Sequence, residues 1–230
     1  VPEDYTFTLG TITGAMKCDV RIIDELMAML EAAKADGINL MICSPYRDYN
    51  RQTILFNRKI DYYMDKGYSY MEAYKRGSQV VTVPGASEHQ LGLALDIVSN
   101  TYTSLDQGFG DTDAGKWLYE HSREYGFILR YPNDKEYITS IEFEPWHFRY
   151  VGVEAATFIM EKGITYRRVP CPERGGPLRP GTPAAGRGPR CRWSRLRSYR
   201  RSHRYRTAPV RLRSAYRERN PSEPCLLSTR

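Results

Sequence analysis

Two short polar segments hold the side chains that could do chemistry. The first runs Ser87-Glu88-His89-Gln90-Leu91-Gly92-Leu93-Ala94-Leu95-Asp96 and the second Glu144-Pro145-Trp146-His147-Phe148-Arg149-Tyr150. They hold two of the chain's four histidines, the others being His121 and His203. Hydrolysis at a catalytic zinc asks for three ligands from His, Asp or Glu, with one position left open. It also asks for a carboxylate beside that position as general base, and for a cation or strong donor where negative charge develops. The two segments can supply the ligands and the base. His89 lies at a turn and Asp96 in the strand that follows, so a bend at Gly92 can return the chain and bring both to one metal. His147, on a neighbouring strand, is the natural third ligand. Glu144, three residues before it, approaches the same place if the chain bends at Pro145.

Taken singly, each residue also has a plain structural reading. A lone histidine is more often a surface or satisfied core residue. Asp96 could cap a turn, Glu144 before a proline could be an exposed turn residue, and Trp146 and Tyr150 could fill the core. Their combination favours the site.

The elements that would position them follow from periodicity. Residues 19–35 place Ile22, Ile23, Leu26, Met27, Leu30 and Ala33 at three- and four-residue spacing, a helix with Asp19 at its start and Gly37 past its end. Residues 39–44 and 91–99 are apolar runs suited to buried strands. Residues 48–76 predict one or two helices, broken near Gly67 and Gly77. Residues 80–84 are β-branched before a Pro84-Gly85 turn, and residues 100–113 form a loop. A helix over 114–125 ends at Gly126; strands are expected over 127–131, 138–143 and 146–151, and a last helix over 153–162. This order predicts an α+β single domain over residues 1–166, with a small, mostly antiparallel sheet flanked by helices and a zinc on the sheet.

Beyond residue 166 the pattern stops. Residues 1–166 carry 24 acidic against 16 basic side chains, whereas residues 167–230 carry 18 arginines, no lysine and three acidic residues. The net charge of +7 therefore averages an acidic body and a basic tail, and is no sign of a nucleic-acid partner. The Arg/Pro/Gly-rich tail is expected to be disordered, or else non-native sequence read in a wrong frame. Its Trp193, Tyr199 and Tyr205 among arginines could grip a nucleic acid, but no nucleic acid is expected as a partner. Of the five cysteines, Cys18 and Cys43 lie in the body and Cys171, Cys191 and Cys225 in the tail; without a CxxC pair, a cysteine zinc site is not expected. No apolar run reaches membrane-spanning length. Because the chain begins at Val1, a signal or anchor segment could have preceded it, the only expected route to a membrane.

The segment SEHQLGLALD matches the SxHxxGxAxD signature, and EPWH the ExWH signature, of the VanY/VanXY family of zinc D-Ala-D-Ala carboxypeptidases and dipeptidases. Upstream, Ser44-Pro45-Tyr46-Arg47-Asp48-Tyr49-Asn50-Arg51-Gln52 resembles that family's SGYR…Q segment, with Pro45 in place of its glycine, and YGFILRYPNDKEYITSIEFEPWHFRYVG looks most like VanY and VanXY members. The resemblance implies one zinc ion per chain on His89, Asp96 and His147. It implies Glu144 as general base and then proton donor, and Arg47 as stabiliser of the oxyanion; a surface ion pair, worth little, is the plain reading of Arg47 alone, and the other motifs favour catalysis. Ser87, Gln52, Trp146 and Tyr46 would hold or wall the substrate. The expected partner is a peptidoglycan precursor peptide, cut at its terminal D-Ala-D-Ala bond. Residues 53–80, with Tyr62, Tyr63, Tyr68, Tyr70 and Tyr74, would form part of the pocket's cover and so decide between a long peptide and a free dipeptide. A bifunctional or VanX-like dipeptidase is the alternative in class, and a non-catalytic peptidoglycan-binding module the alternative outside it. The bacterial cell envelope is the favoured location, and the cytoplasm if the chain is VanXY-like.

Overall fold

The computed structural model of the chain describes residues 5–168. It opens with a hairpin that the periodicity did not reveal, β1 (Leu9–Thr13) and β2 (Met16–Asp19), too short and too mixed in polarity to stand out. The Asp19 carboxylate then accepts from the Arg21 N–H and caps a 3-10 turn, Val20–Ile22, which leads into helix α1 (Ile23–Ala35). Ile22, Leu26, Met29 and Ala33 form its buried stripe. Met27, expected on that stripe, is 40% exposed, so the inward face lies slightly round from the one predicted.

Strand β3 (Leu40–Ser44) follows, then helices α2 (Tyr49–Asp65) and α3 (Tyr70–Val80). The chain breaks at Gly67, as expected, and α3 starts with a capping box between Ser69 and Glu72. Gly77 breaks nothing: it lies buried inside α3, where a Cβ would meet Ile60 Cγ1 at an ordinary contact distance of 3.6 Å. Phe56, Ile60 and Ala73 bind the two helices into a core of their own.

After a 3-10 turn at Glu88–Leu91 comes β4 (Ala94–Ser99), buried at all six residues, and then α4 (Asp113–His121) with a 3-10 extension to Tyr125. Strand β5 (Phe127–Leu129), a single-turn helix α5 (Glu136–Thr139), strand β6 (His147–Tyr150) and helix α6 (Val153–Lys162) complete the chain order. The strands align β3-β4-β6-β5, every pair antiparallel.

The strand expected over 138–143 is not one. Its residues start as α5, turn at Ser140 with φ 63°, and then join α3, the Glu142 N–H donating to the Gln79 carbonyl at 2.9 Å. Thr139 Oγ1 donates within this turn and satisfies the backbone that a ladder would have used.

Alternation along the strands separates two faces of the sheet. Leu95, Ile97, Phe127, Leu129 and Phe148 pack with the buried sides of α1 and α4 into the main core. Asp96, His147 and Arg149 lie on the opposite face, where Ile128 packs with Ala156 and Ile159 of α6. Cys18 is a buried thiol. No described helix is long and apolar enough to cross a membrane. The basic tail lies outside the described residues from 169 onward, with Cys171, Cys191, Cys225, Trp193, Tyr199 and Tyr205.

Candidate metal centre and its surroundings

Asp96 on β4 and His147 on β6 are direct cross-strand partners, and this register puts their side chains together. Asp96 Oδ1 lies 3.1 Å from His147 Nδ1 and 3.3 Å from His89 Nε2. Two ligands about 2.0–2.1 Å from a tetrahedral ion stand about 3.3 Å apart, so these separations suit a shared cation. All three residues are buried and offer ligand atoms within 4.8 Å of one another. His89 Nε2 and Asp96 Oδ1 are buried without a partner in hydrogen-bonding geometry. Converging lone pairs left unsatisfied in the interior are what a bound cation would resolve, so the residues fit a zinc ion.

His89 reaches this point from its 3-10 turn. Gly92 ends that turn at φ 69°, its carbonyl accepting from the Asp19 N–H at 2.9 Å. The Pro45 carbonyl lies 2.9 Å from His89 Nδ1. A proton on Nδ1 satisfies that carbonyl and leaves the Nε2 lone pair facing Asp96. Burial, helped by the nearby Arg47 charge, lowers the His89 pKa to about 4, so the ring is neutral, as a ligand must be. Replacing glycine by Pro45 costs this contact nothing, since only the carbonyl is used.

Glu144 enters through a turn. The His147 N–H donates to the Glu144 carbonyl at 3.1 Å, with Pro145 at the second position that such a turn favours. The bend expected at Pro145 is thus present, and Glu144 Oε2 comes within 3.5 Å of His147 Nδ1. Burial, with the Asp96 charge adding to it, raises the Glu144 carboxyl well above the usual range, against the pull of Arg47. Arg47 itself is half-buried, its Nη2 3.8 Å from Asp96 Oδ2 and its Nε buried without a partner. Its N–H donates to the His89 carbonyl at 3.3 Å, tying the segment before α2 to the metal-site turn.

The four expected substrate residues are placed differently from one another. Ser87 is buried at the start of the 3-10 turn, with no capping bond from its side chain. Gln52, in the first turn of α2, is buried; its amide donates to the Thr82 carbonyl at 2.6 Å, and its Oε1 has no partner. Trp146 is half-buried against the main core. Tyr46 is half-buried, its ring 5.8 Å from that of Phe7.

Several neighbours were not singled out from sequence. Tyr131 lays its ring 4.8 Å from the His147 ring and is joined by the Thr82 side chain. Glu88, half-buried, forms an ionic cluster beside the site with the buried Arg130 and Arg149. Glu88 and Arg149 stand within the quoted motifs, one residue before His89 and two after His147, but nothing in their type or spacing marked them as a pair.

The VanY profile, described as D-alanyl-D-alanine carboxypeptidase, matches residues 15–153. A D-alanyl-D-alanine carboxypeptidase of Enterococcus faecalis is 40% identical over 71% of this chain and 59% of its own length. The chain thus spans less than two thirds of that relative. Among solved structures, VanYB in complex with D-alanine-D-alanine aligns with TM-score 0.67 at 40% identity, covering 72% of this chain and 88% of that one. A glutamate-to-alanine variant of the D,D-pentapeptidase VanY from a VanB-type resistance cassette, in complex with Zn(II), aligns with TM-score 0.66 at 39% identity, covering 72% and 90%.

Proposed function

This chain belongs to the VanY family of D-alanyl-D-alanine carboxypeptidases, and on that premise we propose that it is a zinc-dependent D,D-carboxypeptidase removing the terminal D-alanine of peptidoglycan precursor peptides. The observation that carries the reading is the buried convergence of His89, Asp96 and His147 with Glu144 and Arg47 at its edge. His89, Asp96 and His147 would hold one zinc ion per chain. When bound, the ion supplies Lewis-acid polarisation of the scissile carbonyl and a water of lowered pKa.

The rest falls to the chain's own residues. Glu144 takes the proton of the attacking water and later gives it to the departing D-alanine nitrogen. Its desolvated carboxyl, with a raised affinity for the proton, suits both tasks. The Arg47 guanidinium, half-buried and with its buried Nε unpaired, offers a fixed positive charge to the oxyanion. Ser87 and Gln52 would hold the terminal D-alanine, and Tyr46 and Trp146 would wall the pocket. A non-catalytic binder would not need a desolvated carboxylic acid beside the ligand set.

The test is D-alanine release by the zinc-loaded protein from a pentapeptide precursor and from free D-Ala-D-Ala, with and without chelator. Chelator-sensitive release from the pentapeptide is expected. Release from the dipeptide alone would move the assignment to a VanX-like dipeptidase, and from both to a bifunctional enzyme. No release from either by protein shown to hold zinc would overturn it.

A further inference from the structure

Beside the metal ligands lies a second set of buried charges that the proposed chemistry does not use. Arg130 Nε donates to both carboxylate oxygens of Glu88, at 2.9 and 3.1 Å, and Arg149 Nη1 is 3.6 Å from Glu88 Oε2. The side chains of Glu88, Arg130 and Arg149 are only 14%, 7% and 9% exposed. Ion pairs this deep are poor sources of stability, because desolvation consumes much of their attraction. Their placement offers a better account.

Each member is coupled to a part of the metal centre. Glu88 precedes His89 in the 3-10 turn. Arg149 follows His147 by two residues on β6, hence on the same face. Arg130 donates its backbone N–H to the His147 carbonyl at 3.1 Å. Aromatic rings close the cluster: the Arg130 and Arg149 guanidiniums lie 5.5 and 5.9 Å from the Tyr166 ring centre. Arg130 is also 4.9 Å from the ring of Tyr131, which packs on His147. From the other side, the turn is held by the Pro45 carbonyl and the Arg47 N–H.

We propose that Glu88, clamped between Arg130 and Arg149, is a positioning residue that braces the turn carrying His89 against the strand carrying His147 and so sets the spacing of the metal ligands. This rests on the zinc reading above. Groups that orient ligands from behind typically change metal affinity roughly 10- to 100-fold when lost.

The full chain with Glu88→Gln, which keeps size but loses charge, is the first variant. Its zinc Kd, from chelator competition, is expected to rise roughly 10- to 100-fold. The visible spectrum of its cobalt(II) form should change, and kcat should fall more than KM rises. Glu88→Asp restores the charge and should recover part of each effect. Asp36→Ala removes the acceptor of the Trp117 indole N–H, which lies 2.8 Å from the Asp36 carboxylate and remote from the site. It should lower Tm while leaving zinc affinity and the cobalt spectrum unchanged. If Glu88→Gln does not fold, Tyr166→Leu, at a residue 37% exposed, uncovers the clamp and should weaken zinc in the same direction. A Glu88→Gln or Tyr166→Leu protein with wild-type zinc affinity and cobalt spectrum overturns the proposal, as does a wild type that binds no zinc. A wild type that binds zinc but releases no D-alanine would sink the peptidase reading alone, since the two metal readouts need no substrate.

Discussion

Glu144 is desolvated, set beside the Asp96 charge and opposed chiefly by Arg47, so its carboxyl holds a proton more tightly than an exposed one. In Glu144→Ala, D-alanine release should drop roughly 10²- to 10⁴-fold, the range for loss of a positioned acid–base group. Zinc should stay bound, because the ligand atoms belong to other residues; turnover near wild type would remove Glu144 from the mechanism. A second residue makes a prediction in pH. Burial, with the Asp19 charge adding to it, pushes the Cys18 thiol up to about 11. The folded state thus keeps a proton that the unfolded chain releases near ~8.5. This contribution is intact below that value and is lost as pH climbs through about 11. The stability advantage of wild type over Cys18→Ala in urea titrations should therefore shrink, by roughly 2–3 kcal/mol, across this alkaline window. A constant difference would mean the thiol does not titrate as its burial dictates. At this scale the sequence was readable where types were rare and specific, as with His89 and His147. Arg130, just past the end of β5, was not, since nothing in one sequence tells a buried arginine there from an exposed one.

The turn between His89 and Asp96 shows what an element contributes. Gly92 sits at φ 69°, and a Cβ there would meet the Asp19 backbone nitrogen at 2.8 Å, a neighbour that cannot swing aside. Gly92→Ala should cost about 1–3 kcal/mol for the left-handed backbone alone, with the collision in addition. Because the same turn carries His89, zinc content should fall together with the urea midpoint; loss of stability at full zinc occupancy would separate turn from site. The bend was foreseeable because a glycine stands between two candidate ligands. The 136–143 segment was not, although its apolar residues Ile138, Ile141 and Phe143 resemble a strand's. What decides it is tertiary: the Gln79 carbonyl takes the Glu142 N–H, and Ser140 adopts a left-handed conformation that propensity does not favour. The β1–β2 hairpin escaped for the opposite reason. Its strands, LGTIT and MKCD, are short and mix polar with apolar residues, so no apolar run marks them.

For the molecule as a whole, the question is how much of the chain the chemistry needs. The main core, the sheet, the three candidate ligands, Glu144, Arg47 and the Glu88 clamp all fall within residues 5–168, and the family match within 15–153. The acidic excess of residues 1–166 also belongs to this part, whereas none of the candidate ligands, acids or bases lies in the arginine-rich segment after it. A chain ending at residue 168 keeps Tyr166 over Arg130 and Arg149, and with it the brace on the metal site. It should fold with a Tm close to that of the full chain, bind zinc with the same Kd, and release D-alanine with unchanged kcat/KM. A chain ending at residue 163 loses Tyr166, the buried Thr165, and Ile164, which packs on the Ile128–Ile159 core. It should lose both stability and zinc affinity. Equal behaviour of the two truncations would place the boundary before Tyr166 and remove the aromatic cover from the account of the site. A large loss of activity in the longer one would assign the basic segment a part in catalysis.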